Sequence, residues 1–154
     1  MKVDEFIRQY KESVNKEQVC ERHIIKKYLP YANKIAECNK IVENTMNILN
    51  EDGTVSYKQN TPARFLLFHM RLISNYTDIE LENENFINDY DALNESGAFT
   101  ALITKIPESE YKEFNTLLSM TVDDFMGNNR TIFSCVENLV TAIMLSEKET
   151  PQNE

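Results

Sequence analysis

The stretch Thr61-Pro62-Ala63-Arg64-Phe65-Leu66-Leu67-Phe68-His69-Met70-Arg71-Leu72-Ile73-Ser74-Asn75-Tyr76 decides the fold. Its apolar residues cover most of the circumference of a helix, while Arg64, Arg71 and Asn75 share one narrow polar stripe. A helix this apolar belongs at the centre of a domain with neighbours on several sides. It is too short, and carries two arginines too many, for a bilayer span of about 20 apolar residues.

Helical spacing continues on both sides of this stretch. Upstream, Val3, Phe6, Ile7, Tyr10 and Val14 recur at intervals of three and four. Asn15 caps a second helix, with Gln18 three residues on completing a capping box; Cys20, Ile24 and Tyr28 form its apolar stripe, opposite Arg22, His23, Lys26 and Lys27. Pro30 suits the first turn of a third helix, with a stripe of Tyr31, Ile35, Cys38, Val42, Thr45, Met46 and Leu49. Asn50-Glu51-Asp52-Gly53 is a turn, and Thr54 to Lys58 is expected as a loop or minor hairpin.

Downstream, an acidic connector from Asp78 to Asn85 leads into a short helix carrying Phe86, Tyr90 and Leu93, with Gly97 as its stop. Ala98 to Ile106 is another short helix. Pro107-Glu108-Ser109-Glu110 opens the next with acids at the positive end of the helix dipole; Tyr111, Phe114, Leu118, Val122 and Phe125 are its stripe, and Gly127 is expected to end it. Ile132, Phe133, Val136, Leu139, Val140 and Ile143 mark a last helix. The pattern predicts an all-α fold, a single compact bundle of about seven or eight helices around the central apolar helix. Residues 1–146 form one domain and 147–154 a flexible polar tail.

The 154 residues, 42% hydrophobic and 27% charged, suit one domain with a sizeable core and do not fit a disordered chain. The start, Met1-Lys2-Val3-Asp4-Glu5, lacks an apolar stretch behind a basic flank and does not read as a secretory signal. The net charge of −9 is uneven: residues 1–71 carry a balance of +3 and residues 72–154 one of −12. Between Arg71 and Lys105 there is no Lys or Arg, but there are seven acids: Asp78, Glu80, Glu82, Glu84, Asp89, Asp91 and Glu95. That segment repels a phosphate backbone, so direct nucleic-acid binding is not expected; a partner protein with a basic surface is compatible with it. The three cysteines, Cys20, Cys38 and Cys135, are odd in number and have no close pair, which points to buried free thiols in a reducing compartment.

Most site chemistries find no footing. His69 lies on the apolar side of its helix and reads as a core histidine bonded to a carbonyl or a tyrosine; as a catalytic base it would need Tyr76 or a carboxylate as partner. His23 reads as solvated on a basic face. Cys20, His23 and Cys38 lack the paired spacing of a structural zinc site. The acids from Asp78 fail as a calcium loop, because Asn83 and Asp89 stand where Gly and Glu are required. There is no glycine-rich phosphate loop and no nucleophile motif. Asp123 and Asp124 point in different directions on a helix and make no dyad. The expectation is a protein that is not an enzyme, with no catalytic residue, metal, cofactor or membrane contact.

Four blocks carry a resemblance: Tyr28-Leu29-Pro30-Tyr31, Lys58-Gln59-Asn60-Thr61-Pro62-Ala63-Arg64, Tyr76-Thr77-Asp78-Ile79-Glu80 and Asp123-Asp124-Phe125-Met126-Gly127-Asn128-Asn129-Arg130. The chain resembles small helical proteins of tailed bacteriophages and prophages of low-GC Gram-positive bacteria. The resemblance implies a phage context and the cytoplasm of an infected bacterium, and it assigns no activity to any residue. In that context the expected function is protein binding, as an assembly chaperone, connector or accessory protein, through Asp78, Glu80, Glu82, Glu84, Asp89, Asp91 and Glu95. The alternative is an inhibitor of a host nucleic-acid-binding or defence protein, with carboxylates imitating phosphates. Homo-oligomerisation stays open.

Overall fold

The computed structural model describes the backbone of residues 1–49, 55–81 and 86–148, and the side chains of residues 1–46, 58–81 and 86–128. The elements in chain order are α1 (Val3–Glu12), α2 (Lys16–His23), α3 (Tyr31–Met46), β1 (Asn47–Leu49), β2 (Val55–Tyr57), α4 (Thr61–Tyr76), α5 (Phe86–Glu95), α6 (Ala98–Ile103) and α7 (Glu108–Lys148). The protein is an all-α bundle, and α4 is its central member.

Two apolar clusters meet at α4. Met70 and Ile73 face the first, built with Val3 and Phe6 of α1, Cys20 of α2, Leu93 of α5 and Phe99 and Leu102 of α6. Phe68, Leu72 and Tyr76 face the second, built with Cys38, Ile41 and Met46 of α3 and Phe114, Leu117 and Leu118 of α7. A helix with apolar residues nearly all round is the element able to wall both. The caps follow local chemistry: the side chains of Asn15 and Asn60 accept from the N–H groups of Gln18 and Ala63 at 3.0 and 3.1 Å. Gly97, at φ 75°, takes the left-handed conformation between α5 and α6 that side chains disfavour.

Several expectations are corrected. Val14 lies beyond the end of α1 and is fully exposed. α2 stops at His23 rather than reaching Tyr28, because the chain there bonds to the far end of α4: Ile25 N–H donates to the Tyr76 carbonyl at 2.9 Å, and Asp78 N–H donates to the His23 carbonyl at 3.2 Å. Tertiary backbone bonds replace the next helical turn, and Tyr28 is exposed. The third stripe holds at Cys38, Val42, Thr45 and Met46 and fails at its start: Tyr31 is exposed, while Lys34 is buried among the apolar residues of α3; the Leu49 side chain lies outside the described residues. Asn47–Leu49 does not extend α3 but pairs antiparallel with Val55–Tyr57, Ile48 opposite Ser56, so the hairpin alternative is the observed one. Gly127 does not end a helix. The sole positive-φ glycine among the described residues is Gly97, and α7 runs unbroken for 41 residues, about 60 Å at 1.5 Å per residue. A single glycine costs a helix only about 1 kcal/mol, less than continuous hydrogen bonding gains. The helix includes Glu147 and Lys148, placed in the tail by sequence; 149–154 lie outside the described residues.

The second cluster encloses a charged group. One oxygen of Glu110, Oε2, accepts from the Leu29 N–H at 2.9 Å and the Tyr76 hydroxyl at 2.7 Å, and pairs with Lys34 Nζ at 2.9 Å. Lys34 Nζ also reaches Glu113 at 2.5 Å and lies over the Tyr28 ring, 5.2 Å from its centroid. Burial alone would raise the Glu110 carboxyl, but the bonds from Tyr76, Leu29 and Lys34 outweigh it and hold the group below its ordinary value. Burial would likewise lower Lys34, and its bonds to Glu113 and Glu110 reverse this.

Two predictions follow from α7. At Gly127 an added Cβ meets nothing within 4 Å, so Gly127→Ala raises stability by about 0.5–1 kcal/mol in urea denaturation; a loss would mean a break at that position. Glu110→Ala leaves the Leu29 N–H and the Tyr76 hydroxyl without an acceptor in the core and Lys34 with Glu113 alone, and costs about 2–5 kcal/mol. Because the folded Glu110 carboxyl is depressed, its contribution is complete above the ordinary value of 4.5 and is lost as pH falls through the folded value. Acid-limb denaturation therefore flattens in Glu110→Gln; an unchanged limb would show that the carboxylate contributes nothing.

Candidate functional site

The seven sequence-singled acids are distributed over different parts of the surface. Asp78 and Glu80 flank the buried Ile79 in an extended segment after α4. This segment bridges Ile24 through Thr77 on one side and Lys2 through Glu80 on the other. The Asp78 carboxylate is 2.8 Å from His23 Nδ1, and its carbonyl accepts from the Met1 amino group at 2.7 Å. Glu80 N–H donates to the Met1 carbonyl at 2.8 Å, while its side chain is 79% exposed. The first part of the expected solvated connector is thus a tie between α1, α2 and α4. Glu82 and Glu84 lie outside the described residues.

The remaining acids are on α5, whose inner face is Phe86 and Leu93. Asp89 is half-buried and borders a hollow with Lys2, Asp4 and Glu80. Asp91 and Glu95 are exposed, one turn apart on another face of the helix, and among the described residues neither is in an ion pair. One turn before Asp91 on that face stands Ile87, 66% exposed. Asp89 and Asp91 differ by about 200° around the helix, so the described acids do not form one row.

His69 is 7% exposed and packed among aromatic rings: Phe65 at 4.3 Å between centroids, Phe68 at 5.1 Å and Phe99 at 5.5 Å. Its Nδ1 lies 2.9 Å from the Phe65 carbonyl, which requires the N–H there, and Nε2 faces the Tyr111 hydroxyl at 3.4 Å. Burial pushes the imidazole below its ordinary value, partly offset by the carbonyl bond. The tyrosine beside it is Tyr111; Tyr76, the partner weighed from sequence, is bound to Glu110 instead. No carboxylate among the described residues bonds to His69; the Phe65 carbonyl fixes its ring and tautomer instead.

The thiols Cys20 and Cys38 are buried in different clusters, and burial pushes each up to about 11. They do not converge with His23, and among the described residues no three metal-ligating side chains do so. The Cys135 side chain lies outside the described set. Lys105 reaches Glu21 at 2.8 Å and Glu17 at 3.5 Å, tying the chain after α6 to α2. Among the described residues no helix is long and apolar enough to cross a membrane.

The Lys34–Glu110 pair escaped the sequence reading although a signal was present. Lys34 stands four residues before Cys38, and Glu110 four before Phe114. Opposite charges that each continue an apolar stripe mark a buried pair.

The His69 geometry has a measurable consequence. In an NMR pH titration the His69 ring resonances should move with a midpoint below the ordinary 6.5, and Tyr111→Phe should leave the ring packed and neutral at pH 7. A midpoint above 6.5 would place a negative group beside the ring and restore the acid–base reading.

No protein-family model, no characterised protein and no solved structure matches this chain.

Proposed function

We propose that this protein is a non-enzymatic binding factor that docks a basic protein partner through the outer face of α5, with Asp78, Glu80 and Asp89 lending the surrounding negative potential. The reading keeps the phage setting implied by the four sequence blocks, as an assembly chaperone, connector or accessory factor in the cytoplasm of an infected cell. The observation that carries it is the stripe Ile87, Asp91, Glu95: an isoleucine 66% exposed beside two exposed carboxylates without ion-pair partners among the described residues. An apolar side chain of this size gains about 1.5–3 kcal/mol when buried in a contact. The flanking carboxylates would speed encounter with a cationic surface and fix its register.

Several other charges are engaged within the fold. Lys34, Glu110 and Glu113 form the internal cluster, Arg71 reaches Glu37 at 3.5 Å, and His23 faces Asp78. The inhibitor reading by phosphate imitation needs a single row of carboxylates, and the divergence of Asp89 from Asp91 does not favour it.

The test takes a protein captured from infected or lysogenic cells, purifies it and measures its binding to designed variants. Asp91→Asn with Glu95→Gln should slow association and flatten its salt dependence, and Ile87→Ala should weaken affinity about ten-fold or more through faster dissociation. Equal binding by the triple variant would remove α5 from the contact. Displacement of the chain from its partner by DNA would favour the inhibitor reading.

A further inference from the structure

A groove of about 400 Å³ lies between α4 and the first part of α7. The helices run antiparallel: Tyr76 at the end of α4 meets Glu110 at the start of α7, and Phe68, half-way along, faces Tyr111 and Phe114. Toward the beginning of α4 the groove is walled by Phe65, Phe68, Leu118 and Val122, with Thr61 and Arg64 at that end. His69 and Tyr111 close the other end.

Two features distinguish it from an ordinary surface crevice. Phe65 is 53% exposed into solvent, although its ring already packs at a tilt against His69 and meets Tyr90 edge-on. Arg64 is half-buried, and among the described residues its guanidinium bonds to neutral groups: Thr61 Oγ1 at 3.2 Å and Met46 Sδ at 3.7 Å. Among the described residues no carboxylate pairs with it, whereas the comparably buried Arg71 on the same helix reaches Glu37. A partly desolvated guanidinium beside an exposed aromatic ring is complementary to one negative charge on an apolar body.

We propose that this groove binds a small amphipathic monocarboxylate, its carboxylate on Arg64 and its apolar part along Phe65, Phe68, Leu118 and Val122. The size argues for a small molecule: a pocket of a few hundred Å³ suits one, while two turns of a helix about 10 Å across occupy roughly twice the groove's volume. The single cation argues for a monoanion, since a phosphate would bring more charge than one guanidinium offsets in a chain of net charge −9. At the far end His69 and Tyr111 bond mainly to each other and to the Phe65 carbonyl, so that end presents ring surface to the ligand's tail. This site shares no residue with the Ile87, Asp91, Glu95 stripe and stands or falls separately from the partner-docking proposal.

The probe is octanoate, with 1-octanol as its uncharged counterpart, followed by amide NMR on the full chain. Octanoate should shift residues of 61–69 and 111–122 saturably and bind about ten-fold tighter than 1-octanol. In Arg64→Gln the preference for octanoate should vanish while 1-octanol binding persists. Ser119→Trp, on the exposed rim, should fill the groove and block both without touching the core. Amide spectra of each variant without ligand establish that it is folded. Equal affinities of the wild type for octanoate and 1-octanol, an unchanged preference in Arg64→Gln, shifts confined to other surfaces, or no saturable octanoate binding would each overturn the proposal.

Discussion

One carboxylate oxygen holds the elements around the second apolar cluster in register. Glu110 Oε2 receives the backbone of Leu29, the hydroxyl of Tyr76 and the ammonium of Lys34, which belong respectively to the α2–α3 linker, α4 and α3. Apolar packing around it is strong but non-directional, so it would tolerate helices that slide or rotate. A buried charge with three defined donors does not tolerate this, because any shift leaves an ionised group without partners in a region poor in water. The first turn of α3 carries Lys34 inward and leaves Tyr31 outside for this reason: the ammonium must meet Glu110 and Glu113. The same centre draws the tyrosine at the end of α4 inward, and the backbone of that end then receives Ile25 and Lys26.

The parts of the fold that follow from periodicity were readable. The all-α class, the central place of α4 and the apolar faces of α1 and α7 depend on local spacing, and the buried positions Phe6, Tyr10, Ile73, Phe114 and Leu118 fall where that spacing puts them. What was not readable depends on partners distant in the chain. The early end of α2 comes from bonds to Tyr76, some fifty residues on. The unbroken α7 reflects a glycine whose ordinary helical conformation outweighed its reputation as a stop. The isolated stop at Gly97, by contrast, was read correctly because a left-handed joint between two short helices is a local matter. For the candidate surface, composition identified the acids but not their directions; only the geometry separates Asp78, which is tied to His23, from Asp91 and Glu95, which face outward.

The division of charged groups bears on what the molecule offers to others. Lys34 with Glu110 and Glu113, and Arg71 with Glu37, satisfy one another across α3, α4 and the start of α7. Along α5 the acids have a different setting, with an exposed isoleucine in their midst. Arg64 is the converse case, a cation at the edge of an aromatic groove. The exterior therefore presents two contrasting features, one negative and broad, the other positive and small. Each would select a different chemical class.

The position of Glu110 in the chain also has a consequence for synthesis. A nascent polypeptide that has emerged only as far as Ile103 contains every element of the first cluster, together with Lys34 and Tyr76, but lacks the carboxylate that receives them. Chains emerge N-terminal end first, at about 5–20 residues per second. For the seconds before α7 clears the ribosome, α4 has the first wall built and the second only from α3. Its Phe68, Leu72 and Tyr76 then lack their α7 partners, and translation pauses in that interval would prolong the exposure.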